Sequence, residues 1–158
     1  MIEDVNLLMT MLPGIAAKLG AAILCGLLLG IERERKDKPA GIRTIMLITV
    51  GATIYMLVSE LIPTITEGPE SITRTDPARV AAQVVTGIGF LGAGTIIQAR
   101  GSVHGLTTAA VIWVAAAIGL LIGIGFPLLG IGLTLVVLTA LVALEPLTRR
   151  IGGENAKA

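Results

Sequence analysis

From Gly101 to Leu144 the chain runs without one Asp, Glu, Lys or Arg, and His104 is the only ionisable ring in the stretch. A helix needs roughly 20 apolar residues to cross the hydrocarbon of a bilayer, so this run is long enough for two crossings. Val80 to Ala99 is uncharged as well. Backbone groups left unpaired in hydrocarbon are so costly that spanning segments are restricted to helices or closed barrels. These runs are continuously apolar rather than alternating, which excludes a barrel. The chain therefore reads as an all-α integral membrane protein. Charged residues make up 15 % of its 158 residues, against about a quarter in a soluble domain.

Hydropathy predicts a bundle of about five transmembrane helices, near 14–31, 44–61, 77–97, 106–123 and 126–144. Residues 1–13 are expected to form an N-terminal surface segment, 14–145 the transmembrane domain, and 146–158 a tail too short to fold alone. Gly123-Ile124-Gly125-Phe126-Pro127 predicts a tight turn between the last two spans. Lys and Arg collect on the cytoplasmic side of a membrane. Nine of the twelve fall in the first loop (Arg33, Arg35, Lys36, Lys38, Arg43), the third loop (Arg100) and the tail (Arg149, Arg150, Lys157). Only Arg74 and Arg79 fall opposite, which predicts an N-terminus outside and a cytoplasmic C-terminus. Glu3 and Asp4, with no Lys or Arg before Lys18, are the wrong polarity for a cleaved signal peptide.

Three features lie within or beside the spans. Lys18, four residues past Gly14, is expected to snorkel outward rather than pair with Glu60. The single Cys25 forms no intramolecular disulfide and reads as a small packing residue. Asp76-Pro77 has the residue types of a helix N-cap and first position, and Asp76, Arg79, Gln83 and Thr86 follow at helical spacing. This polar stripe descends from the outer surface. It reads either as a cap, an ion pair and an interhelical hydrogen bond, or as a ligand site or pathway.

Gly87-Ile88-Gly89-Phe90-Leu91-Gly92 spells GxGxxG. A dinucleotide site would need a preceding strand and an acidic residue about 20 positions on; the next carboxylate is Glu145. Close helix packing fits better, because small residues let backbones approach in a membrane. Gly26, Gly30, Gly87, Gly89, Gly92, Gly94 and Gly119 are the candidates, and small faces on three spans predict a tight bundle and a homo-oligomer, a dimer first. A glycine-rich break lining a site is the other reading. In the first loop, acids alternate with bases in Glu32-Arg33-Glu34-Arg35-Lys36-Asp37-Lys38, before Pro39-Ala40-Gly41-Ile42-Arg43-Thr44. A positive-inside anchor needs no interleaved acids, so Glu32, Arg33, Glu34, Arg35 and Arg43 are expected to form an ion-pair network that holds the loop in one shape. One His and one Cys, in different segments, form no catalytic triad and no zinc site. No metal site, cofactor, enzyme activity or nucleic-acid partner is expected.

Gly30-Ile31-Glu32-Arg33-Glu34, Lys38 to Thr44, Asp76 to Gln83, Gly87 to Gly94, and Gly105-Leu106-Thr107-Thr108-Ala109-Ala110 with Trp113 resemble, in order, the blocks of the MgtC/SapB family of prokaryotic membrane proteins. The resemblance covers roughly residues 20 to 125. It implies a multi-pass helical domain in a prokaryotic cytoplasmic (inner) membrane, a link to magnesium homeostasis and to acid or ionic stress, and a part as modulator of other membrane proteins, the proton-driven ATP synthase being a candidate partner beside the lipid bilayer. Longer family members add a soluble C-terminal domain, and this chain is expected to carry the transmembrane part only. Members often place a polar residue after the Arg-Thr pair, where this chain has Ile45. The alternative function is a small transporter or channel. Magnesium is held through carboxylates and retained waters, and Glu32, Glu60, Asp76 and Glu145 all fall near span ends.

Overall fold

A computed structural model describes residues 2–66, 76–99 and 102–151, with side chains described for 9–61, 76–99 and 102–146. Among them are five helices, α1 (Ile2–Glu34), α2 (Ile42–Thr66), α3 (Pro77–Gly94), α4 (Leu106–Gly123) and α5 (Pro127–Ile151), and one hairpin of β1 (Ile97–Ala99) and β2 (Ser102–His104). Four helices are long and apolar enough to cross a membrane, over Met9–Glu34, Ile42–Leu61, Leu106–Gly123 and Pro127–Pro146. The chain is an all-α, multi-pass membrane protein. The side chains of Arg74, Arg100, Arg149, Arg150 and Lys157, used above to set orientation, lie outside the described residues.

Two boundaries differ from the sequence reading. Residues 2–12, expected as a separate surface segment, are the first turns of α1, which runs through Pro13. At 1.5 Å per residue α1 is about 50 Å long, more than one hydrocarbon thickness. Helix α3, read as a span to Ile97, ends at Gly94 and is not among the four apolar helices. Thr95 stops it, its hydroxyl and N–H both bonding back to the Gly92 carbonyl oxygen at 2.8 and 3.0 Å. Ile96 and Ile97 look like more membrane span by hydropathy, but they lead into a hairpin that pairs Ile97 with His104, Gln98 with Val103 and Ala99 with Ser102. Gly105 then opens α4 at φ 88°, and a side chain there would strike the Thr95 carbonyl.

Helix α4 is the hub. It packs against each of the other four helices, whereas α3 packs chiefly on α4 and α2. The core is built from small and branched residues: Ala22, Cys25 and Leu29 of α1, Ile45 of α2, and Ala115 and Ile122 of α4 are all fully buried. Glycines set the crossing of α1 and α2. A Cβ at Gly26 or Gly30 would lie 2.6 Å from the Cα of Met46 or Ile42. Gly119 packs its α-carbon against the Thr49 carbonyl of α2 in the same way. Hydrocarbon supplies no solvophobic drive between helices, so close contacts of this kind carry the association. The Thr53 hydroxyl, fully buried, lies 2.9 Å from both the Thr49 and the Gly119 carbonyl oxygens, adding a polar tie between α2 and α4.

The third-span glycines behave differently. A Cβ at Gly87, Gly89 or Gly94 would meet nothing within 4 Å, and at Gly92 only ordinary contact with Ala109. Within one chain, close packing thus describes Gly26, Gly30 and Gly119, and not Gly87, Gly89, Gly92 or Gly94. The reason is positional: α3 lies at the rim, where Gly87, Gly89 and Gly94 face nothing within 4 Å, while Gly92 is buried against Ala109 of α4 at ordinary contact distance.

Candidate functional site

Polar side chains gather at two ends of the bundle. At one end Lys18 of α1 donates to the Glu60 carboxylate of α2 at 2.9 Å and to the Gly123 carbonyl oxygen of α4 at 2.6 Å. The expected snorkelling of Lys18 is therefore corrected. The end of α4 places a carbonyl beside Glu60, and together they hold the ammonium, tying the middle of α1 to α2 and α4.

At the other end Glu32 and Arg33 close α1. Both are buried, and the Arg33 Nε donates to one Glu32 oxygen. The Lys36 ammonium lies 2.7 Å from the other oxygen of Glu32 and also pairs with Glu145 of α5. These two carboxylates, Glu145 foremost, raise the Lys36 pKa above its ordinary value. The loop itself turns through a Schellman motif: Lys38 N–H bonds Arg33 O, Asp37 N–H bonds Glu34 O, and Asp37 takes φ 49°. The Glu34 carboxylate then accepts from the Ile42 N–H at 2.9 Å, capping α2. Gly41 has no side chain because a Cβ there would occupy the place of that carboxylate.

Of the residues expected in the loop's ion-pair network, Glu32 and Arg33 are paired, Glu34 instead caps α2, and Lys36 and Glu145, which the sequence reading did not put in it, complete it. Arg35 and Arg43 stand outside it, making no ion pair among the described residues. Lys36 was one of several bases in a stretch of mixed charge, and Glu145 is remote in sequence. A lone carboxylate closing an apolar run was the signal for it.

The polar stripe divides. Asp76 caps α3, accepting from Ala78 N–H at 3.0 Å. Thr86 is exposed and bonds back to the Ala82 carbonyl oxygen at 3.0 Å. Arg79 and Gln83 instead line an open groove of about 990 Å³ between α2 and α3. Its walls are apolar, with Leu47, Ile48 and Gly51 from α2 facing Val84, Ile88 and Leu91 from α3. Arg43 and Thr44 stand at the end of the groove where α2 begins, and Tyr55, Arg79 and Gln83 at the other. Among the described residues no three His, Cys, Asp or Glu side chains converge to hold a metal ion.

The sequence pattern of the MgtC family matches residues 19–150. Relatives include the YhiD protein of Escherichia coli K12, whose name proposes magnesium transport; it is 44 % identical over 140 residues, which are 85 % of this chain and 62 % of that protein. An uncharacterized protein of Haemophilus influenzae Rd is 40 % identical over 155 residues, 94 % of this chain and 64 % of its own length. Protein MgtC of Salmonella typhimurium LT2 is 41 % identical over 131 residues, 83 % of this chain and 52 % of its own. The chain thus spans between about half and two thirds of these curated relatives. No solved structure matches it. With the pattern covering residues 19–150, and so part or all of each of the five helices, the chain belongs to the MgtC family.

Proposed function

We propose that this protein is a non-catalytic modulator of other membrane proteins, acting in magnesium homeostasis or adaptation to acid or ionic stress. The family and the names of its relatives support the magnesium link. The observation that carries the modulator reading is the distribution of charge through the bundle. Lys18 and Glu60 are tied at one end, and Glu32, Arg33, Lys36 and Glu145 at the other. Between them the core is filled by Cys25, Leu29, Ile112 and Ile118, all 2 % exposed or less. A conducting path needs polar groups or water along its length; in the described core no charged side chain stands between the two tied ends, and the buried hydroxyls of Thr49, Thr53 and Thr134 are bonded to helix carbonyl oxygens.

The basic α1–α2 turn lies on the cytoplasmic side in this reading, with α3 as the fifth crossing and the chain in a prokaryotic inner membrane. The exposed glycine face of α3 suits a homodimer or a second membrane protein, ATP synthase being the partner to try first. The test is photocrosslinking in native membranes from a probe at Phe90, which is 80 % exposed on α3. A discrete adduct with a second copy or with one other membrane protein is expected. Lipid adducts alone would overturn the docking role.

A second reading, a small transporter or channel, is favoured by one feature, the α2–α3 groove with Arg79 and Gln83 at one end and Arg43 at the other.

A further inference from the structure

We infer that the α2–α3 groove is a binding site for one anionic phospholipid, with its phosphate at Arg43 and an acyl chain along the apolar walls. Arg43 is the second residue of α2, is exposed, and has no ion-pair partner among the described residues. It stands at the mouth of the groove beside the Thr44 hydroxyl, with Thr95 across from it on the α3 side. The same turn exposes Arg35 and Lys38 against Glu34 and Asp37, and Glu34 is occupied in capping α2. The far end is less basic, because Asp76 lies one helical turn from Arg79.

Depth agrees with charge. From Arg43 to Tyr55 the α2 wall rises about 18 Å at 1.5 Å per residue, a little more than one leaflet's share of a hydrocarbon core roughly 30 Å thick. A phospholipid presents an anion and then hydrocarbon in the order the groove presents a cation and then Leu47, Ile48, Gly51 and Leu91. A basic pocket between helices at the membrane surface is suited to anionic headgroups. The narrow floor is α4, reached at Ile112. Gly51 and Gly87 leave the walls open, since a Cβ at either meets nothing within 4 Å. The inference does not depend on which side of the membrane the α1–α2 turn occupies.

The test is native mass spectrometry of the full chain extracted from vesicles of equal parts phosphatidylglycerol and phosphatidylcholine. The wild type is expected to retain one phosphatidylglycerol with about fivefold preference over phosphatidylcholine. Arg43→Gln is expected to remove the preference, and Gly51→Leu, whose side chain fills the groove, to remove retention of either lipid. Arg35→Gln, outside the groove, keeps both. Circular dichroism and thermal midpoints confirm that each variant is folded. Equal retention of the two lipids by the wild type, or an unchanged preference in Arg43→Gln, would overturn the assignment. So would a Gly51→Leu variant that retains lipid but turns a dimer into a monomer, because the groove would then hold a second copy.

Discussion

Lys18 and Glu60 meet 2.9 Å apart across α1 and α2, and the Gly123 carbonyl of α4 completes the contact. The pair pins three helices at the end of the bundle opposite the basic loop. Glu60 is 38 % exposed, so solvent screens the attraction. A double-mutant cycle of Lys18→Met and Glu60→Leu is expected to show coupling on the order of 1 kcal/mol in chemical unfolding in detergent. Purely additive effects would mean the contact contributes nothing.

The spans were legible because long uncharged runs leave a chain few alternatives in hydrocarbon. The pairing of Lys18 was not, because a position four residues into a span permits snorkelling just as well, and only the packing of α2 and α4 brings Glu60 and Gly123 to it. The hairpin was hidden for a related reason: Ile96 and Ile97 score as membrane, and nothing in hydropathy registers that Thr95 bonds back to Gly92. The glycines of α1 and α3 look alike in sequence. What separates them is whether another helix faces them.

That difference gives a paired test. Gly30→Ala places a methyl 2.6 Å from the Ile42 Cα and forces α1 and α2 apart, which is expected to cost about 1–3 kcal/mol. Gly87→Ala enters open space and is expected to be neutral or to stabilise by up to about 1 kcal/mol through helix propensity. Thermal midpoints of the two variants in one detergent decide it.

Asp37 at φ 49° holds the left-handed position of the turn after α1. Glycine adopts that conformation without steric cost, so Asp37→Gly is expected to stabilise by roughly 0.5–1 kcal/mol. Asp37→Val is expected to destabilise, since a branched side chain is poorly tolerated there. Unfolding midpoints in denaturant check both signs.

The Lys36 tie between the ends of α1 and α5 has a pH signature. Glu145 and Glu32 raise its pKa above the usual 10.5. A group whose folded pKa is raised contributes stability that is complete below its unfolded value and is lost as pH climbs through the folded one. The contribution is therefore intact at neutral pH, begins to be lost above about 10.4 and is gone once pH passes the raised folded pKa. Stability measured from pH 8 upward is expected to fall in the wild type over that alkaline range, and to fall less in Lys36→Met.

The central claim is that this bundle modulates other membrane proteins rather than conducting. Its most direct test is flux into liposomes containing the purified, folded protein, with magnesium, proton and potassium indicators inside and Asp76→Asn and Gln83→Ala controls alongside. No protein-dependent flux of any of the three ions is the expected result. A magnesium, proton or potassium flux that the wild type supports and the Gln83→Ala variant loses would contradict it and make the α2–α3 groove a pathway.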